Sequence, residues 1–431
     1  MKKIIAMLLA AMMILGLCAC TVEQNDGSTI ELKLATYPIG GWGTQATVEA
    51  LIADFEAANP GIKITVEYLD YQNGDDKVNT AIEGNAAPDI IMEGPERLVA
   101  NWGAKGLMVD LSDMIDATDK AEINAAALNA CYTADGKCYE YPLVMTAHCM
   151  AINKTVFEAA GAMEHINAET HTWKSVEDFF AAVAKVYTHT GKQVGSVYCK
   201  DQGGDQGTRA LVNNLKGGTF TNAAHTEYTW NSAENIAALQ ALVDCEGISF
   251  DPSLAGGNEI AEFYNGNLNM AFCWNIAQQL NPNTANTGAE KTASGDEILF
   301  LAFPTDAESA LLQGGIWGFG IFDNGNAEKI AAAKKFIKYM CDSEKTADAV
   351  KAANYFAVRN TAEGADLSNI WADNAVMQEY NKLMPMLGDY YQVTTNWTEA
   401  RRCWWNMLQA INSGTPISEA VEQWTNTANG K

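Results

Sequence analysis

Two aromatic residues beside a glycine-rich segment are the first candidates for binding chemistry. Trp42 lies within Gly40–Gly43, and Tyr37 shortly precedes that segment. Both follow the alternating apolar segment Ile30–Ala35, which predicts a strand, and α/β folds bind ligands at the carboxyl ends of strands. Because glycines leave Trp42 little to pack on, we expect Trp42 to contact a ligand. We expect the same of Tyr37, which shares that turn. The alternative for Trp42 is an anchor for a surface loop.

A carboxylate and a third aromatic ring extend this set. Glu93 follows the apolar run Ile90–Met92 at the end of a predicted strand, and Trp317 lies between two glycines. A sugar presents an apolar C–H face and a rim of hydroxyls, so aromatic platforms and carboxylates suit it. We therefore expect Glu93 and Trp317 to contact the ligand. The alternative for Glu93 is a charge at the start of the helix before Pro95.

No motif of an enzyme or a metal site accompanies these residues. The sequence contains no GxSxG, Walker or strand–helix GxGxxG motif, and no CxxC or HExxH pair. Its 53 acidic residues make chance Asp/Glu pairs unavoidable, so the sequence alone assigns no glycosidase pair. We expect no catalytic residue, no metal and no cofactor.

Composition and charge narrow the classes of partner. The chain is 48% hydrophobic and 19% charged, which is typical of a globular protein. Its length of 431 residues exceeds what one hydrophobic core usually organises, so we expect two lobes. The formal net charge of −25 opposes binding to nucleic acids and to anionic membrane surfaces, because both need basic patches.

The N-terminus carries a targeting signal. Lys2 and Lys3 precede the apolar run Ile4–Leu17, which is short for a membrane span but suits a signal peptide. The run ends in Leu-Cys-Ala-Cys, which resembles the lipobox of bacterial lipoproteins. Residues 1–20 are therefore expected to be a signal peptide with lipidation at Cys20, which would hold the protein on the outer face of the membrane. The alternative is a secreted protein with an incidental cysteine.

Eight further cysteines are scattered along the chain. Cys131 and Cys138 flank a predicted turn and could form a local disulfide. We expect the other six to be mostly buried thiols, the usual state of free cysteine.

The chain alternates between predicted strands and helices, which indicates βαβ units and a mostly parallel sheet. After a linker at 21–29, the predicted elements are strands at 30–35, 62–68, 88–92, 145–153, 268–274 and 297–303, and helices at 48–55, 78–83, 175–187, 232–245, 327–341, up to about 353, and in much of the remainder to 417–424.

Several segments, in order, resemble the family 1 extracellular solute-binding proteins of bacterial ABC importers, the group that includes maltose-binding protein. Ile152 and cysteines at 138, 149 and 273 depart from that pattern. The segments that carry the resemblance are Ala87–Glu93, Trp102–Leu111, Asp135–Pro142, Ile152–Gly161, Thr172–Phe179, Phe263–Ala271 with Trp274, and Gly314–Ile321.

The resemblance implies a periplasmic-binding-protein-like α/β fold of type II, with two interleaved lobes, a hinge and a ligand cleft between them. Lobe one would comprise residues 30–147 and 300–352, and lobe two 148–299 and 353–431. It adds Trp274 at the family's usual stacking position, and Tyr355 and Arg359 after a hinge, as ligand contacts. The alternative for Trp274 is packing in the core.

The function implied is capture of a small ligand, expected to be a mono- or oligosaccharide, by hinge closure and delivery to the permease subunits of an ABC importer. We expect a monomer without enzymatic activity. The alternatives are a binding protein for a peptide or polyamine, a surface glycoside hydrolase or lyase, and a module that presents its ligand to a sensor.

Overall fold

The computed structural model describes residues 29–280, 291–388 and 393–431. The predicted signal peptide, Cys20 and most of the linker lie outside these residues. Within the described part, no helix combines the length and apolarity needed to cross a membrane.

A mixed sheet forms the centre of the fold. The parallel strands β2, β1 and β3 lie side by side, and β11 is antiparallel to both β3 and β4. The strands are β1 (Ile30–Thr36), β2 (Ile62–Tyr68), β3 (Ile90–Glu93), β4 (Tyr141–Asn153), β5 (Ile166–Asn167), β6 (Thr172–Trp173), β7 (Gly195–Tyr198), β8 (Ile248–Asp251), β9 (Met270–Trp274), β10 (Ile298–Leu301), β11 (Gln313–Ile321), β12 (Phe356–Ala357), β13 (Thr361–Ala362) and β14 (Ala365–Asp366).

Helices cover the strands, as βαβ crossovers require. Those of eight or more residues in the described part are α1 (Gln45–Ala58), α2 (Gly74–Glu83), α3 (Val176–Thr190), α4 (Gln206–Lys216), α5 (Ala233–Val243), α6 (Gly256–Tyr264), α7 (Ala327–Cys341), α8 (Thr346–Ala353), α9 (Trp397–Asn412) and α10 (Ile417–Ala428). Shorter helical segments are Gly40–Gly43, Pro95–Arg97, Leu98–Gly103, Ser112–Met114, Ala117–Glu122, Ala125–Ala130, Lys154–Ala159, Met163–His165, Ala277–Leu280, Ala375–Tyr380 and Asn381–Met386.

The long strand β4 belongs to both lobes. Its first half pairs with β11 and β12, and its second half pairs with β9 and β10. We call the part that contains β1–β3 the first lobe and the part that contains β7–β10 the second lobe. Because one continuous strand pairs with strands of both lobes, the position of one lobe along β4 is fixed relative to the other.

The predicted α/β fold class is confirmed, and several boundaries are close. The prediction of a mostly parallel sheet is wrong, because every pairing of β4 and β11 in the central sheet is antiparallel. The helix predicted to start after Ser175 does so, since the Ser175 hydroxyl accepts a hydrogen bond from the Asp178 backbone N–H at 3.0 Å. Strand β2 and helix α7 have the predicted bounds, whereas β4 starts four residues earlier than predicted, at Tyr141. The lobe boundaries stay a prediction.

The structure departs from the proposed local disulfide. Cys131 and Cys138 are buried free thiols. The thiol of Cys131 donates to the carbonyl of Ala127, and that of Cys138 donates to the carbonyl of Glu140, both at 3.2 Å. The predicted turn between them is present, with Gly136 at φ +82°, but the sulfurs bond to backbone instead of to each other.

Candidate ligand-binding cleft

Arg97 is the buried cation around which the candidate cleft is organised. The turn Pro95–Arg97 after β3 carries it, and Nε donates to Asp75 Oδ1 at 2.6 Å while Nη1 donates to Glu93 Oε1 at 2.7 Å. Within the described residues, Nη2 is buried and has no hydrogen-bond acceptor. Because an unsatisfied buried donor is costly, a ligand oxygen would be stabilised there.

Two tyrosines hold this cation in place. The rings of Tyr37 and Tyr71 stack with centroids 5.3 Å apart, and the Arg97 guanidinium lies 4.9 Å and 5.7 Å from their centroids. The Tyr37 hydroxyl also donates to Asp75. Tyr37 is fully buried and Tyr71 is half-buried, so Tyr37 positions the cluster and the Tyr71 ring is the more exposed of the two.

The carboxylates near Arg97 outnumber it. Burial raises the pKa of Glu93 to about 8, against the opposing pull of Arg97. Glu96 lies 3.8 Å from Arg97 Nη1, and Glu140 is buried with neither carboxyl oxygen hydrogen-bonded among the described residues. Burial, with Glu96 and Glu93 nearby, raises the pKa of Glu140 well above its usual range.

An aromatic stack forms a second wall. The rings of Trp317 and Tyr355 lie 4.8 Å apart and nearly parallel, at 12°. Trp317 immediately precedes the point where β11 shifts register against β4, and a Cβ on Gly315 would lie 2.0 Å from its indole Cη2. Gly315 is therefore required for the position of this ring.

Groups of the second lobe face these walls. His148 on β4 meets the Trp317 ring edge-on at 6.1 Å and lies 3.4 Å from the amide nitrogen of Gln206. The Tyr355 hydroxyl donates to Asn275 Oδ1 at 3.4 Å, and Gln202 Nε2 donates to the carbonyl of Tyr71 at 3.2 Å. The two lobes thus touch across the cleft.

A second ion cluster lies on the second-lobe side. Asp205 is buried, forms an ion pair with Arg209, and accepts from Arg401 Nη2 at 3.0 Å. Burial tends to raise the pKa of Asp75, but Arg97 and Tyr37 outweigh it, so the pKa is lowered. Arg401 of the second-lobe cluster makes a smaller contribution in the same direction. The charges of the two lobes therefore interact across the cleft.

Of the predicted contacts, Tyr37, Glu93, Trp317 and Tyr355 meet in this region. Trp42 does not, because it is fully buried in the first lobe. Its indole Nε1 donates to the carbonyl of Ala349 at 3.1 Å, and its ring meets Phe319 edge-on. The glycines beside it let the backbone approach α8 closely, so they create packing for Trp42 instead of removing it.

Trp274 also lies in a core, contrary to the prediction. Its ring packs against Phe263 and Tyr264 at 5.5 Å and 5.7 Å. Side chains alternate along a strand, so the neighbours Cys273 and Asn275 face the opposite way, toward Tyr355.

Arg359 forms ion pairs that stabilise the structure, with Asp342 and Asp119 as its partners. Its Nη1 lies 2.8 Å from Asp342 and 3.2 Å from the buried Asp119, and Nε donates to the carbonyl of Thr361 at 2.8 Å. These contacts anchor the segment after β12 to the first lobe. The predicted ligand contact is not what the structure shows for this side chain.

The sequence prediction missed Tyr71, Asp75, Arg97, His148, Gln206 and Asn275. Tyr71 follows the end of β2 just as Glu93 ends β3, so the strand-end rule could have found it. Arg97 stands four residues after Glu93, the spacing of an ion pair on one helical turn. The remaining residues depend on pairing between distant segments. No group of three or more His, Cys, Asp or Glu side chains in the described ranges could hold a metal ion.

Comparison with known proteins identifies relatives. The sequence model of the family described as bacterial extracellular solute-binding protein matches residues 50–379. The maltodextrin-binding protein MdxE of Bacillus subtilis is 27% identical over 164 residues, which cover 37% of this chain and 36% of that protein. The chain thus matches little more than a third of the length of its curated relatives.

Solved structures match over nearly the whole chain. The GacH receptor of Streptomyces glaucescens, solved unliganded and with acarbose, superposes with a TM-score of 0.73 at 16% identity, covering 93% of this chain and 98% of that one. An ABC substrate-binding protein of Listeria monocytogenes in complex with cycloalternan gives 0.71 at 19% identity, with coverage of 93% and 98%. At such identities these matches establish the two-lobed fold.

The first prediction separates structure from binding at Arg359. Replacing Arg359 with Gln should lower the free energy of unfolding by about 3 kcal/mol, because it leaves the buried Asp119 with less compensating charge. Ligand affinity of the folded variant should stay within about twofold. Urea unfolding and calorimetric titration measure the two effects. Lys334→Gln, which breaks a more exposed pair with Asp113, should cost less than about 1 kcal/mol. Lost affinity with unchanged stability would contradict this assignment.

The second prediction concerns Gly315. Gly315→Ala should weaken ligand binding by about tenfold, because the added methyl group displaces the Trp317 ring from its stack on Tyr355. Gly84→Ala makes the same change at the end of α2, where the added Cβ meets only its own helix at 3.4 Å, and should leave affinity unchanged. Equal affinities in the two variants would show that the stack is not part of the site.

The third prediction concerns pH. Burial first, and then Arg209, lower the pKa of His148 from 6.5 to about 4. As the pH falls from about 6.5 to about 4, the unfolded chain takes up this proton before the folded protein does, which costs about 3 kcal/mol of stability. His148→Gln should remove that loss, and His189→Gln, at an exposed site, should retain it. Urea unfolding at pH 7.5 and 4.5 measures the difference, and parallel pH profiles for His148→Gln and the native protein would refute it.

Proposed function

The chain belongs to the bacterial extracellular solute-binding protein family, and from this premise we propose that it captures a carbohydrate between its lobes and delivers it to the permease of an ABC importer. The observation that carries the proposal is the aromatic stack of Trp317 on Tyr355, near a polar cluster whose Arg97 Nη2 has no acceptor among the described residues. Apolar ring faces and unsatisfied hydrogen-bond donors are the two features that a sugar needs.

The ligand would touch both lobes. In the first lobe, Tyr71, Arg97 and Trp317 offer aromatic faces and a donor, and Tyr355 adds a ring that stacks on Trp317. In the second lobe, the amides of Gln206 and Asn275 offer hydrogen-bond partners, and His148 on the shared strand β4 offers an imidazole. A ligand that contacts both sides favours the closed arrangement over the open one by its difference in affinity for the two, which is how binding would drive hinge closure.

Relatives that are named for a ligand, or were solved with one bound, support a carbohydrate over the other solutes. MdxE is named for maltodextrin, and the two solved structures contain acarbose and cycloalternan. The Listeria protein is described as an ABC substrate-binding protein, which supports a permease as the partner of the closed form. We further propose lipid anchoring through Cys20 and a role in binding without catalysis.

The test is a thermal-shift screen of the chain from Thr21 onward against mono- and oligosaccharides, with amino acids, peptides and polyamines as controls. A ligand at a hundredfold excess over its Kd should stabilise the protein by about 2.7 kcal/mol. We expect a shift with one class of carbohydrate, and recovery of that carbohydrate unaltered. Trp317→Ala should abolish the shift, whereas Trp424→Ala, on α10, should keep it.

Three outcomes would contradict the proposal in different ways. A shift only with peptides or polyamines would remove the carbohydrate and keep the solute-binding role. Cleavage of the bound sugar would make the protein an enzyme. A shift that Trp317→Ala leaves unchanged would place the ligand elsewhere.

A further inference from the structure

The charged groups of the cleft would respond differently to a positive and to a negative charge on a ligand. In the first lobe, Asp75 and Glu93 bond directly to Arg97, and Glu96 lies 3.8 Å from it. Glu140 is also buried there, and the charged groups that act on it are the carboxylates Glu96 and Glu93. Three carboxyl groups therefore surround one guanidinium in this part of the described structure, and the buried carboxyl group of Glu140 is a fourth in the same region.

The second lobe supplies the remaining charges. Asp205 pairs with Arg209 and Arg401, so two cations share one carboxylate. If Glu93 and Glu140 hold protons, Asp75, Glu96 and Asp205 balance Arg97, Arg209 and Arg401. The raised pKa values of Glu93 and Glu140 support that state at neutral pH. The closed cleft then needs no charge from its ligand.

The asymmetry appears when a charged ligand is considered. A ligand ammonium group can be compensated, because Glu93 or Glu140 can release its proton and become negative. A ligand carboxylate has no such compensation, since His148 is the neutral base among the cleft residues named above and its pKa of about 4 keeps it uncharged. Each arginine is already committed to at least one carboxylate. An added anion could accept a hydrogen bond from Arg97 Nη2, but its charge would be buried without an uncommitted cation to neutralise it.

We propose that this cleft selects its carbohydrate by charge, accepting neutral and amino sugars and rejecting uronic acids and other sugar acids. The inference rests on the proposed function and specifies its ligand class. It is carried by the pairing of Arg97 with Asp75 and Glu93 and by the unpartnered buried carboxyl group of Glu140. Repulsion from the nearby Glu96 adds to the rejection.

The experiment uses hexose oligosaccharides of one to three units, each in three forms that differ at carbon 6: hydroxymethyl, carboxamide and carboxylate. The carboxamide matches the carboxylate in shape and lacks its charge, so the ratio of their Kd values isolates the charge. We expect the hydroxymethyl and carboxamide forms to bind within about threefold of each other, and the carboxylate at least tenfold more weakly at low ionic strength. The 2-amino analogue of the neutral sugar should bind at least as tightly as the sugar itself.

Glu96→Gln provides the matched variant. It removes one negative charge beside Arg97, so the Kd of the carboxylate form divided by the Kd of the carboxamide form should fall at least threefold. Binding of the hydroxymethyl form by the variant reports that the variant is folded. Equal binding of the carboxamide and carboxylate forms, or tighter binding of the carboxylate, would overturn charge selection and leave carbohydrate binding intact. Absence of binding to every carbohydrate form would instead refute the proposed function, and the inference with it.

Discussion

The hydrogen bonds that Arg97 donates to Asp75 and Glu93 are the constraint on which the candidate cleft depends. A buried guanidinium must be paired, and its planar shape fixes where the partners lie. Asp75 comes from α2, Glu93 from the end of β3, and the tyrosine that orients Asp75 from the end of β1. Three separate βα connections are thereby held at one point. Their common centre leaves Nη2 of Arg97 without an acceptor among the described residues.

The second constraint is the shared strand β4. Because β4 pairs with β11 and β12 in one half and with β9 and β10 in the other, the lobes cannot shift register independently. Rotation of the lobes about this strand is the motion that the proposed capture and release would require. The contacts of Gln202 with Tyr71 and of Tyr355 with Asn275 lie between the lobes, where a bound ligand would add its own. The structure therefore shows the side chains of both lobes close enough to share one small molecule.

The sequence was sufficient for the α/β class and for elements with strong local signals. Strand β2 alternates cleanly, and α7 has a regular apolar face, so both were predicted with correct bounds. The site was harder because burial decides it. Trp42 and Trp317 both stand beside glycines, yet one glycine segment packs Trp42 onto α8 while Gly315 makes room for the Trp317 ring. Arg359 and Arg97 are both buried arginines, and only distant partners distinguish an anchor from a ligand donor. These distinctions depend on tertiary pairing, which local pattern does not encode.

The most direct test of the central claim is a crystal structure of the chain with the carbohydrate that stabilises it most. We expect a sugar between the lobes, with one ring face against Trp317 or Tyr71 and an oxygen about 2.7–3.2 Å from Arg97 Nη2. Both lobes should contact the same molecule. A ligand held by one lobe alone, or one that leaves Arg97 Nη2 without an acceptor, would contradict this binding mode.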